Sequence, residues 1–101
     1  MLIVIGKATS RPGRRQELLD AVTEMARVTR SDEGCELYGF YADVTDHDVI
    51  LSVEVWHDKA ALDAHMAHDH TRSFIQTVPE LVAGTPVLSF FHAEPAKESN
   101  L

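Results

Sequence analysis

Four of the six histidines and the only tryptophan fall within one short stretch, Trp56 to His70. Imidazole changes charge near neutral pH, so this is where the chain can move protons. On a helix, Leu62, His65, Met66 and Asp69 stand at i, i+3, i+4 and i+7 and share one face; His68 lies three residues beyond His65, and His70 closes the turn. His65 is the first candidate for a catalytic base or hydrogen-bond donor, against the plainer reading of a helix histidine at the rim of a core. His70 either assists it or caps a second helical piece. His65, His68 and Asp69 could in principle ligate a metal on one helical face, but no distant further anchor accompanies them. No metal is expected. His47 and His57 read as solvated turn residues.

Around this stretch stand the residues that would build a pocket. Glu54, between Val53 and Val55, is the one charged group in an otherwise apolar run; it is either a paired structural charge or a partner to a histidine. Trp56 ends that run, with core packing its first role and cavity wall its second. Tyr38, Phe40, Tyr41, Phe74, Phe90 and Phe91 would line any aromatic pocket, although each is equally a core residue. His92 alternates with aromatics near the end of the chain and can reach a cavity or a subunit seam.

The elements that must position these groups follow from hydrophobic period. Leu2 to Ala8 is a β-branched apolar run, hence a strand, punctuated by Ser10-Arg11-Pro12-Gly13. Pro12 suits a helix first turn. Leu18, Leu19, Val22, Met25, Ala26 and Thr29 recur at three and four residues and predict a helix to about Arg30, ended by Asp32-Glu33-Gly34. Glu36 to Asp43 is a second strand, with Leu37, Gly39 and Tyr41 on one face and Tyr38, Phe40 and Ala42 on the other. Asp46-His47-Asp48 turns it into a third, Val49 to Trp56. Asp58 caps a helix that is interrupted near His68 to His70, resumes at Thr71 and stops at Pro79. Glu80 to Gly84 is expected to turn, with a short helical piece around Leu81 and Val82 as the alternative, and Pro86 to Ala93 to form the last strand. One domain is expected over residues 1–94, and a polar, frayed tail over 95–101. The order β-α-β-β-α-β predicts an α+β, ferredoxin-like antiparallel sheet with its helices on one face. All four strands are apolar on both sides, so a second copy is expected to cover the bare face as an isologous dimer.

Composition narrows the function classes. The net charge of −7, with Arg11, Arg14 and Arg15 the only basic cluster, argues against a nucleic-acid partner. That cluster reads as the solvated start of a helix. The single Cys35 excludes an intrachain disulfide and a cysteine zinc site, and reads as an inert small hydrophobe. The opening MLIVIGKATS is too short and too poor in early basic residues for a signal peptide, and no apolar run approaches membrane-spanning length. The expectation is therefore a cytoplasmic protein that does not engage membranes.

Taken together and in order, four pieces resemble the antibiotic biosynthesis monooxygenase family, whose members include quinol monooxygenases. They are the opening strand into Arg11-Pro12-Gly13; Asp32-Glu33-Gly34-Cys35-Glu36-Leu37-Tyr38; Glu54-Val55-Trp56-His57-Asp58 with Ala61-Leu62; and His65 with His70-Thr71-Arg72-Ser73-Phe74. The resemblance covers roughly residues 2–94. It implies a dimeric α+β barrel that oxygenates electron-rich aromatics without flavin, haem or metal. The expected partners are a small aromatic substrate, O₂ and a second copy of the chain, with His65 and His70 catalytic. Substrate would be met by Tyr38, Tyr41, Glu54, Trp56, Arg72, Phe74 and His92. A haem-degrading branch of similar proteins uses an Asn, a Trp and an axial His at positions where this chain has Gly6, His65 and Ile75, so haem degradation is rejected. A phosphate-binding isomerase branch would need a cradle for which only Arg72 is available. The two rival readings are a non-catalytic module that binds an aromatic ligand and a proton-shuttling isomerase.

Overall fold

A computed structural model describes residues 1–97 of the chain. Seven elements follow one another: β1 (Leu2–Ser10), α1 (Arg15–Thr29), β2 (Cys35–Ala42), β3 (Val49–Trp56), α2 (Lys59–Ala67), α3 (Asp69–Leu81) and β4 (Val82–His92). The four strands form one sheet in the order β2-β3-β1-β4, every neighbouring pair antiparallel. This is the expected ferredoxin-like α+β arrangement. The end of the expected tail, residues 98–101, lies outside the described residues.

Alternation in the strands decides which residues meet the helices. Leu2 and Val4 of β1, Tyr38 of β2, Ile50 and Trp56 of β3 and Val82 of β4 are buried with Leu18, Val22, Met25 and Ala26 of α1. The intervening positions point the other way and stay in the open: Ile5, Leu37, Tyr41, Leu51, Val87 and Phe91 are all exposed. The sheet therefore has one covered face and one apolar, uncovered face. β4, at the edge, is largely exposed along its length.

Several boundaries differ from the sequence expectation. Pro12 and Gly13 form a turn ahead of α1 instead of its first turn, with Gly13 at φ +76°. α3 does not stop at Pro79 but runs through it to Leu81. A proline removes one helical N–H, here the one that would reach the carbonyl of Ile75, while the last carbonyls of any helix need outside donors. Arg11 provides them: its backbone N–H donates to Leu81 O (2.9 Å), its Nη2 to Pro79 O (2.8 Å) and its Nε to Val82 O (2.9 Å). Arg11 thus clamps the far helix and is not merely solvated. Glu80 and Leu81 complete α3, so Leu81 is helical as the alternative reading has it, while Val82 to Gly84 already belong to β4 in place of a turn.

The break between α2 and α3 falls at His68, whose backbone is extended (ψ 146°). That break resets the helical phase. Asp69, expected on the His65 face, instead starts α3 with its side chain 97% exposed and paired to Arg72 at 2.7 Å.

Gly34 brings the α1–β2 turn against α2. It sits at φ +78°, its carbonyl accepts from the His57 N–H at 2.8 Å, and a Cβ at this position would collide with Ala61 Cβ. Gly13 has nearly the same φ but open space around it. A non-glycine residue in this backbone region costs about 1–2 kcal/mol, and overpacking adds about 1–3 kcal/mol. Gly34→Ala is expected to lower the thermal midpoint by about 8 °C or more, and Gly13→Ala by about half as much. Circular-dichroism melts of the two variants side by side check this; equal losses would mean that the contact with Ala61 carries no strain.

Candidate functional site

The α2 helix is registered by Asp58, whose side chain accepts from the Ala61 N–H at 2.9 Å. Two turns later His65 faces inward and is only 3% exposed. Its ring packs 4.6 Å, centroid to centroid, from Trp56 and 5.6 Å from Tyr38. A buried imidazole needs a polar partner, and it finds one in Asp32 on the turn after α1: His65 Nδ1 lies 2.9 Å from Asp32 Oδ2. Thr71 Oγ1 is 3.3 Å from the same nitrogen.

The break at His68 swings two further imidazoles toward that carboxylate. His70 Nε2 is 3.3 Å from Asp32 Oδ2, and His68 Nε2 is 3.8 Å from Oδ1. The rings of His68 and His70 stack at 5.0 Å. Asp32, itself 9% exposed on its side chain, is thus a common centre for three histidines. The sequence marks Asp32 only as part of a helix-ending turn and of one piece of the family resemblance, not as a site residue. The available clue was indirect: an inward-facing histidine at His65 demanded a partner from outside its own helix.

Burial pushes the His65 pKa below its ordinary value, while the hydrogen bond and charge of Asp32 oppose that shift. The result is a neutral ring whose Nδ1–H is donated to the carboxylate, which leaves Nε2 as the basic nitrogen. Among the described residues Nε2 has no hydrogen-bond partner.

His65 also lines a cavity of about 560 Å³ between the sheet and the α2–α3 layer. Of the residues expected at a substrate site, Tyr38, Glu54, Phe74 and His92 line it as well. Leu88 and Phe90 of β4 and Met66 of α2 complete an apolar wall. Four expected residues stand apart from it. Trp56 is fully buried behind His65, and His70 faces Asp32. Tyr41 is on the uncovered sheet face, and Arg72 is exposed and paired with Asp69.

Glu54 is a second, partly buried polar group of the wall. The Trp56 indole N–H donates to its Oε1 at 2.9 Å. Burial pushes its pKa up despite that bond. The Tyr38 phenol is raised far above its ordinary value by burial first, with the charge of Glu54 adding to the shift, so it is a neutral hydroxyl.

Comparison with known proteins gives a consistent picture. The sequence profile named "Antibiotic biosynthesis monooxygenase" matches residues 1–77. An uncharacterized protein of Synechocystis is 32% identical over 82 residues; the match spans 81% of this chain and 56% of that relative, so the chain accounts for little more than half of its length. The Escherichia coli protein YgiN, named a "probable quinol monooxygenase", is 30% identical over 88 residues, covering 77% of this chain and 85% of its own. A crystal structure from Deinococcus radiodurans, assigned to the same monooxygenase group, superposes with a TM-score of 0.90 over 99% of both chains at 23% identity, which is a likeness of fold.

The raised Glu54 pKa has a consequence for stability. A carboxyl that holds its proton more tightly when folded favours folding at low pH, and that contribution is lost as pH rises from the ordinary value of 4.5 through the folded one. Glu54→Gln keeps an oxygen acceptor for the indole and removes the charge. It should raise the thermal midpoint at about pH 7–8, with the gain fading below about pH 4.5. Melts across that range decide it; a lower midpoint at neutral pH would show that the ionised carboxylate is favourably held.

Proposed function

The chain belongs to the antibiotic biosynthesis monooxygenase family, and we propose that it is a cofactor-independent monooxygenase acting on a quinol or related polyphenol. The observation that carries this reading is a buried, neutral imidazole held by a buried carboxylate at the wall of an apolar cavity. The name of the Escherichia coli relative supports it.

In this reading Asp32 fixes the ring of His65 and steadies the positive charge that it gains. His65 Nε2 takes a hydroxyl proton from the substrate. The resulting anion is electron-rich and gives electrons to O₂. For a hydroquinone the sum is hydroquinone plus O₂ to hydroxyquinone plus water: one oxygen atom enters the ring, the other leaves as water, and all four electrons come from the substrate. Flavin, haem and metal have no part in these steps. Tyr38, Glu54, Phe74 and His92 contact the substrate. The apolar wall of the cavity strengthens each electrostatic contact made against it. Trp56 acts from behind by fixing the plane of His65. Such a reaction belongs in the reducing cytoplasm.

The functional unit is a homodimer. Ile5, Leu37, Tyr41, Leu51, Val87 and Phe91 form an exposed apolar face larger than scattered surface residues would make. A second sheet packed on it in an isologous pair covers it on both copies at once. Light scattering at micromolar concentration should give about twice the chain mass of 11.2 kDa. Leu51→Glu, which places a charge in the middle of that face, should shift the mass toward a single chain. A single-chain mass for the wild type would remove the dimer.

Oxygen uptake on a panel of hydroquinones tests the chemistry. His65→Gln retains an N–H for Asp32 but has no basic nitrogen; it should lower kcat/KM about 10²-fold with the circular-dichroism spectrum unchanged. Asp32→Asn should move the rate in the same direction. Full activity in His65→Gln would place the base elsewhere. No oxygen uptake by the wild type, with aromatic ligands still binding, would make the protein a binding module; anaerobic turnover would make it an isomerase.

A further inference from the structure

The convergence of three imidazoles on one carboxylate exceeds what holding a base requires. A single bond, His65 to Asp32, already satisfies the Nδ1 of the buried ring. His70 and His68 add two ring nitrogens from a different helix start, at 3.3 Å and 3.8 Å from the same carboxylate. One ligand atom each from Asp32, His65 and His70 lies within 4.8 Å of the others.

We propose that Asp32, His65, His68 and His70 form a site for one borderline divalent transition ion of the Zn²⁺ type. Tetrahedral Zn²⁺ with bonds of about 2.0–2.1 Å to imidazole and carboxylate sets its ligand atoms about 3.3–3.4 Å apart. The His70–Asp32 separation already has that value, and the His65–Asp32 pair must open from 2.9 Å by about 0.4 Å on the same geometry. His65 Nδ1 and His70 Nε2 both address Asp32 Oδ2, so they are aimed at a common region. The donor set of imidazoles with a single carboxylate suits Zn²⁺, Ni²⁺ or Cu²⁺ and not Ca²⁺ or Mg²⁺, which need several oxygens. There is also a way in: His68 and His70 are 47% and 31% exposed, while His65 and Asp32 form the floor at 3% and 9%. This set differs from the one that helical spacing suggests, because Asp69 points outward and Asp32 takes its place.

Occupancy would change the chemistry of the cavity. To ligate through Nδ1, neutral His65 must carry its proton on Nε2. The nitrogen available to a substrate then becomes a donor and can no longer accept a proton. The ion is therefore an inhibitor, a consequence that rests on His65 being the base; the binding itself does not.

The test uses the full chain without an affinity tag, stripped with EDTA and desalted. Titration with ZnCl₂ by calorimetry should give one ion per chain at micromolar or tighter affinity. Co²⁺ in its place should show the visible absorption of a tetrahedral complex. His68→Ala and His70→Ala, both at partly exposed positions that leave the core intact, should each weaken binding at least tenfold. Absence of saturable binding below about 100 µM overturns the site, as does stoichiometric binding that both variants leave unchanged. Where quinol turnover is measurable, Zn²⁺ should abolish it and EDTA restore it. Tight, variant-sensitive binding without loss of turnover would keep the site and overturn the inhibition, together with the role of His65 as base.

Discussion

A carboxylate placed out of water costs several kcal/mol unless other groups answer its charge and lone pairs. Asp32 is such a carboxylate, and much of the molecule is arranged to answer it. The turn that carries it is pressed onto α2 by a glycine whose position admits no side chain. The cap at Asp58 sets the rotation of α2 so that His65 meets the carboxylate. The extended residue between α2 and α3 brings two more imidazoles to it. One anion thereby ties the α1–β2 turn to the α2–α3 corner, and Trp56 fills the space behind. The same arrangement sets opposing influences on His65: burial favours the neutral ring, and Asp32 restores part of its basicity. A base for phenolic protons needs both, because a ring already charged cannot accept a proton and one too weak will not.

The cavity owes its character to the other constraint, a sheet covered on one side only. Every strand offers apolar residues to the helices, and β4 reaches beyond their cover, so Leu88 and Phe90 contribute a wall that is more than half exposed. The polar groups of the wall are few and separately held, with His65 by Asp32 and Glu54 by the Trp56 indole. A few fixed polar groups in an apolar space are what orient a flat aromatic ligand without binding it through charge. The opposite face of the same sheet is apolar too, so one layer presents a cavity wall on one side and an uncovered apolar surface on the other.

Much of this was legible in the residue pattern because period alone determines face. Tyr38 and Phe40 separate from Leu37 and Tyr41 by simple alternation, and the structure keeps that division. Tyr41 suits a pocket by its aromatic character, but its own alternation places it on the far face. The break near His68 is legible in the sequence, and a helical count that puts Asp69 on the His65 face fails there because a break destroys the phase on which such counting depends. Pro79 reads as a stop on local rules, which do not include an anchor from the other end of the chain; Arg11 holds the carbonyls of Pro79 and Val82 at the helix end. Asp32 was invisible as a site residue for the same reason. Its role exists only across a gap that folding closes.

The sheet order makes β1, which precedes both of its partners along the chain, one of the two central strands, hydrogen-bonded to β3 on one side and β4 on the other. Its partners leave the ribosome much later: β3 ends at Trp56 and β4 at His92. At about 5–20 residues per second, the run Leu2–Ile5 spends on the order of seconds with both of its edges unpaired. An apolar strand in that condition is a template for another chain. Until β4 closes the sheet, the run Leu2–Ile5 therefore keeps an edge to which a second chain can pair.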